Sequence, residues 1–157
     1  MSLNPSTRGY DFTLTSSPTR LVKKVLKVET TKLREVVDLT GLVKEFAQSS
    51  GIKDGLLFCY NKHTTSALVL ANRREGIAQL LHEILQDIAE DPVEKKSATA
   101  SRDPNMLRAY LLSALMGNSL GIPIESGSCR MGDWQGVYLV EMAGPREREI
   151  VLTAVGN

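Results

Sequence analysis

Gly132-Asp133-Trp134-Gln135-Gly136-Val137, followed by Gly144-Pro145-Arg146-Glu147-Arg148, is the stretch on which the fold turns. The first segment holds the only tryptophan of the chain beside a carboxylate and a side-chain amide; the second sets two arginines at alternate positions. Each of these groups costs free energy to bury without a partner. They are bounded by apolar, strand-like runs at 136–142 and 148–155, with Gly and Pro between them. The stretch is therefore either a fold-defining turn or the wall of a site.

Working outward toward the N-terminus, further strands are read at 121–125 and 128–131, before them a largely apolar helix Met106–Met116 ended by Gly117, and before that a polar loop or lid at 93–105. Gly76–Glu90 reads as an amphipathic helix with Leu80, Leu81, Ile84, Leu85 and Ile88 on one face, stopped by Asp91-Pro92. Thr65–Ala71 and the continuous apolar run Leu56–Tyr60 read as neighbouring strands, the second of them central. A helix over Gly41–Ser49 has Thr40 as its expected cap, an inward stripe of Leu42, Val43, Phe46 and Ala47, and Gly51 as its stop. Short strands at 34–38 and 22–31 precede it, and residues 1–20, rich in Ser and Thr, read as a loose N-terminal arm ahead of a single domain over 21–157. The pattern is α+β: a large mixed, mostly antiparallel sheet with three helices packed on it.

Composition narrows the function classes. With 157 residues, 42% hydrophobic and 24% charged, the chain has the make-up of an ordinary globular domain. A net charge of +1 gives no global field for nucleic acid or an anionic membrane, and no apolar run reaches the roughly 20 residues of a spanning helix. Neither a nucleic-acid nor a membrane partner is expected. Cys59 and Cys129 sit in apolar strand-like segments, which reads as small hydrophobes in a reducing, cytoplasmic setting.

Ile122-Pro123-Ile124-Glu125-Ser126-Gly127 leading into Gly132-Asp133-Trp134-Gln135, together with Gly144-Pro145-Arg146-Glu147-Arg148-Glu149-Ile150, resembles the YjbQ-like family, also called UPF0047 or the secondary thiamine-phosphate synthase family. His63-Thr64-Thr65 is similar to its His-Thr-Thr motif, and Leu115-Met116-Gly117-Asn118-Ser119 to its Leu-Leu-Gly-x-Ser motif. Order and spacing agree from about Lys24 to the C-terminus. The resemblance implies a homotrimer with a histidine-lined site near subunit boundaries, associated with metal in some members, and a weak thiamine-phosphate synthase activity. The departures fall on ionisable positions. Arg102 and Tyr110 stand where two family histidines are expected ahead of Gly117, Ala71-Asn72-Arg73 replaces an acidic run, Asp133 a threonine, and Ala143 an aspartate. The chain reads as a divergent member whose ancestral site is dismantled or re-purposed.

The candidate residues carry competing readings. His63, at a strand end, can act as acid/base or as a donor to phosphate with Thr64 and Thr65, or it can cap a turn. Arg146 and Arg148 point to one face of a strand and could clamp phosphate; Arg146, directly after Gly-Pro, is the better site candidate, whereas Arg148 reads as structural beside Glu147 and Glu149, which suit cross-strand ion pairs. Trp134 and Gln135 can form a wall, or fill a corner and satisfy turn backbone groups. Arg73 and Arg74 read as a solvated turn, and Tyr110 as a core residue with its hydroxyl at the edge. With two histidines and no close metal-ligand spacing, no metal and no cofactor are expected. Two functions follow. One, implied by the family resemblance, is a transferase joining a pyrimidine diphosphate to a thiazole phosphate, with His63 catalytic and Arg146 on phosphate. The other is a non-catalytic homotrimeric binding or scaffold protein that keeps the fold but has lost the ancestral metal/histidine site; besides other copies of itself, a small phosphorylated ligand is the partner considered.

Overall fold

The structure, a computed structural model, describes residues 19–74, 76–77, 79–84, 87 and 103–157. Its strands are β1 Arg20–Glu29, β2 Glu35–Asp38, β3 Gly55–Asn61, β4 Ser66–Asn72, β5 Ser119–Glu125, β6 Ser128–Cys129, β7 Gln135–Glu141 and β8 Glu147–Gly156. The helices are α1 (Thr40–Ser49) and α2 (Pro104–Met116), with a third helical stretch, seen at 77, 79–84 and 87, between β4 and α2. The α+β class and the antiparallel pairing are as expected. The strands, however, divide between two sheets, ordered β1-β8-β3-β5-β6 and β2-β7-β4.

Two sheets bury what one open sheet would leave wet. Leu57, Cys59, Ile122, Ile124, Ile150 and Leu152 face inward from the five-stranded sheet against Leu68, Val137 and Leu139 of the three-stranded one, with Val43, Phe46 and Ala47 of α1 in the same core. On the far side of the three-stranded sheet, Ala67, Val140 and Met142 pack on Ala109 and Leu112 of α2. β7 is thus covered on both faces, which is why its apolar run is unbroken.

β3 is central, between β8 and β5, but its apolar run has a different cause. Leu57 and Cys59 enter the core, whereas Leu56, Phe58 and Tyr60 face outward and stay about 41–45% exposed. By register they share that outer face with Leu21 and Val25 of β1 and with Val151 and Val155 of β8. The Phe58 and Tyr60 rings stack with centroids 6.4 Å apart. Among the described residues nothing covers this apolar face.

Several local expectations are corrected. β1 runs from Arg20 to Glu29, not from Val22 to Thr31, so Arg20 belongs to the sheet and not to an arm. Thr40 is the first helical residue of α1 and not its cap; its hydroxyl accepts the Val137 N–H at 3.0 Å and ties α1 to β7. Leu42 is exposed, so it does not join the inward stripe. Gly51 does end the helix, at φ +71°. α2 begins at Pro104 because Asp103 accepts the Asn105 N–H at 2.9 Å and proline suits the first turn. On the helical stretch before it, Leu80, Leu81 and Ile84 are exposed while His82 is 2% exposed. The arm over 1–18, Leu85, Ile88 and the loop over 93–102 lie outside the described residues.

Candidate functional site

The segment 62–65 carries the chain from the five-stranded sheet at Asn61 to the three-stranded sheet at Ser66. Asn61, buried at this crossing, anchors the end of β3 to the start of β4. Its amide donates to the Ser66 carbonyl at 2.8 Å and to Ser66 Oγ at 3.0 Å, its carbonyl oxygen accepts the His63 N–H at 3.2 Å, and its backbone N–H donates to the Asn118 carbonyl at 2.8 Å. Ser113 of α2 donates its hydroxyl to the same Ser66 carbonyl at 2.8 Å. One amide side chain and one hydroxyl thus join the end of β3, the start of β4 and the exit of α2.

His63 continues the β-ladder with its side chain. β3 pairs with β8 as far as Asn61 opposite Ile150, and the next N–H, of Glu149, donates to His63 Nε2 at 2.9 Å. That nitrogen must be unprotonated to accept. Burial, then the charges of Arg148 and Lys62, hold the ring below its ordinary pKa against the opposing pull of Glu149 and Glu141.

Behind the crossing lies a buried ion pair. Arg148 Nε donates to Glu141 at 2.6 Å, and Arg148 Nη2 donates to the second Glu141 oxygen and, at 2.9 Å, to Thr65 Oγ1. Glu141 is 0% exposed and also accepts the Thr30 hydroxyl at 3.0 Å and the Met142 and Ala143 N–H groups at 2.9 Å. Burial pushes its carboxyl up, but the bonds from Arg148, Ala143 and Thr30 outweigh it and hold the pKa below the ordinary value. Arg148 is held inside the fold, though by Glu141 and Thr65 and not by the cross-strand surface pairing that its flanking glutamates suggested. Those glutamates make the expected surface pairs, Glu147 with Lys27 at 3.0 Å and Glu149 with Lys62.

The remaining candidates separate. Thr64 lines a cavity of about 330 Å³ with Tyr110, Ser113, Ala114 and Asn118, whereas Thr65 is buried and committed to Arg148. Tyr110 is 46% exposed on that cavity, not a core residue. Among the described residues Arg146 is fixed through its backbone, which exchanges hydrogen bonds with Thr30 at 3.0–3.1 Å; it borders a corner cavity of about 220 Å³ with Glu29, Pro145 and Glu147. Trp134 and Gln135 stand at the other end of β7 from Glu141, about 20 Å away at roughly 3.4 Å per residue. Trp134 is 63% exposed, with the Arg74 guanidinium 5.7 Å above its ring, so it neither fills a corner nor walls the Thr64 cavity within one chain. Gln135 does serve the turn, accepting the Gly132 N–H at 2.9 Å. Gly136 is required there: a Cβ would stand 2.9 Å from Arg73 Cγ, Thr40 Oγ1 and Tyr138 Cε2 alike.

The metal associated with some family members does not fit what is described. His63 Nε2 already has a donor, and among the described residues no group of three or more His, Cys, Asp or Glu is placed to hold an ion. Arg102 lies outside the described residues. Burial, with Cys129 nearby, pushes the Cys59 thiol up to about 12, an inert side chain. Asn61, Ser113 and Glu141 escaped the sequence reading. The available signals were weak: a polar residue closing an apolar strand at Asn61 and at Glu141, the latter seven residues before an arginine.

Known proteins share this architecture. Residues 24–157 match the family described as UPF0047 protein, YjbQ-like. A UPF0047 protein of Archaeoglobus fulgidus is 35% identical over 130 residues, covering 83% of this chain and 98% of that one; Bacillus subtilis YugU is 29% identical over 140 residues, covering 85% and 98%. A crystal structure of a YbjQ-like protein of unknown function from Sulfolobus solfataricus superimposes with a TM-score of 0.77 at 29% identity, covering 88% of this chain and 99% of that one. Among the described residues no helix is long and apolar enough to cross a membrane.

Proposed function

The chain belongs to the UPF0047, YjbQ-like family, and from that premise we propose that it is a self-associating binding protein for a small polar ligand, taken up in the cavity of Thr64, Tyr110, Ser113, Ala114 and Asn118. One observation carries the reading: two groups that could run phosphate chemistry, His63 and Arg148, are engaged within the fold, and Arg146 borders a separate cavity. His63 Nε2 accepts the Glu149 N–H, and Arg148 is neutralised by Glu141. The described lining offers hydroxyls and an amide but no cation, which suits a neutral polar group better than a diphosphate. The uncovered apolar face around Phe58 and Tyr60 supports association of copies, each apolar Å² removed from water contributing roughly 25 cal/mol. Three copies is the number the family resemblance implies.

Polar fragments screened by NMR are expected to shift the amides of Thr64 and Asn118; a screen that moves neither would sink the site. A strain lacking thiamine-phosphate synthase is expected to stay unrescued by this chain, and rescue abolished by a folded His63→Ala variant would establish the transferase instead. Light scattering should give a trimer that Phe58→Glu dissociates. A wild-type monomer at micromolar concentration would refute self-association.

A further inference from the structure

The crossing segment is anchored at both ends and tied by a histidine between them. Asn61 holds one end through Ser66, and Thr65 holds the other through Arg148. Across the span between, the bonds to β8 are the Glu149 N–H donated to His63 Nε2, at 2.9 Å, and the exposed Lys62–Glu149 ion pair. Thr64 belongs to that span and lines the cavity. A protonated imidazole carries two N–H donors and no acceptor, so the Glu149 N–H would then face another N–H. Among the described residues the carboxylates that would attract the new cation are already paired. From β8 come Arg148 and Glu149, from β7 Glu141, and from the span itself Lys62; Arg148 is paired with Glu141 and Lys62 with Glu149.

We infer that His63 is an acid-released latch on the Thr64 cavity: unprotonated, it fastens the span 62–64 to β8, and protonation frees the span and removes Thr64 from the cavity wall. The latch rests on the reading of that cavity as the ligand site only for its consequence, not for its operation. The chain has one other histidine, His82, buried with both ring nitrogens lacking a hydrogen-bond partner among the described residues, with Arg34 and Glu83 as its charged neighbours. It is the natural control.

The test is amide hydrogen exchange on the full chain from about pH 7.5 to about pH 5, corrected for the intrinsic pH dependence of exchange. Protection of the Glu149 amide is expected to fall, by up to about tenfold per pH unit, as the pH drops below the ordinary imidazole value of 6.5 and to level off once the latch is open, while Ile150 and Leu152 keep theirs. His63→Gln supplies an acceptor that does not titrate, so its Glu149 protection should stay flat; His82→Gln should reproduce the wild-type fall. A wild-type ring that titrates while Glu149 protection holds, or a fall retained in His63→Gln, would overturn the latch. Should His63→Gln fail to fold, ring ¹⁵N shifts of the wild type decide: an unprotonated Nε2 at neutral pH, titrating in step with the Glu149 amide, supports it, and an Nε2–H tautomer refutes it. These readouts use no ligand. A working latch in a protein that binds no polar fragment would therefore refute the proposed site and leave the latch standing.

Discussion

Arg148→Met keeps most of the side chain's length and removes its charge, leaving the Glu141 carboxylate buried with only the Thr30 hydroxyl and two backbone N–H groups. Thr65 Oγ1 loses its donor as well. At an effective dielectric of about 20, opposite charges 4 Å apart attract by about 4 kcal/mol, and removing one partner of a buried pair costs about 3–5 kcal/mol. Against a domain stability of about 5–15 kcal/mol, the variant should lose a large fraction of its resistance to urea. The pH dependence has a definite sign. In the wild type the folded pKa of Glu141 is depressed, so its contribution is complete above the unfolded carboxyl pKa and is lost as pH falls through the folded value. In the variant burial acts without Arg148, the folded pKa rises, and the penalty is largest at neutral pH and relieved in acid. Urea unfolding followed by far-UV circular dichroism should therefore show a gap of several kcal/mol near pH 7 that narrows near pH 4.5. Adding Glu141→Leu should restore at least half of the loss, because an apolar pair of similar volume is often neutral at such a site. A loss under about 1 kcal/mol at pH 7, or an equal gap at both pH values, would refute the assignment of this pair as ionised and buried.

Four further outcomes are expected. Asn61→Ala strips partners from the Ser66 carbonyl and the His63 N–H and should cost about 2–3 kcal/mol in the same assay. Gly136→Ala drives a methyl against three side chains and should cost about 1–3 kcal/mol, read by thermal melting. Trp134→Ala should cost under about 1 kcal/mol, since the residue is 63% exposed and its Arg74 contact lies at the surface; a larger cost in a monomeric sample would refute that placement. His82, lowered by burial first and then by Arg34, destabilises the fold as pH falls below its ordinary value of 6.5, so melts taken on either side of it should separate for the wild type and draw together for His82→Leu.

How much of this was legible beforehand depends on the range of the interaction. The alternation in β1 and β8, the stops at Gly51 and Gly117, and the turn around Gly132 and Gln135 are settled within a few residues, and the sequence displayed each of them. Boundaries missed where a longer-range partner intervened: Thr40 left its capping role to bond Val137, 97 residues away. An unbroken apolar run proved ambiguous for the same reason. In β7 it reports two covered faces, while in β3 it reports a face that the described residues leave open.

Taken alone, the sequence determined the class of fold, the family and the residue types available at the crossing, because periodicity, turn chemistry and motif spacing are written locally along the chain. Only the tertiary structure decided which sheet each strand joins, which arginine is buried, and what His63 does. Those outcomes hang on contacts between Thr30 and Glu141, Thr65 and Arg148, and His63 and Glu149, separated by 111, 83 and 86 residues. Burying a charge forces it to find a partner wherever the fold brings one, and no local pattern states where that will be.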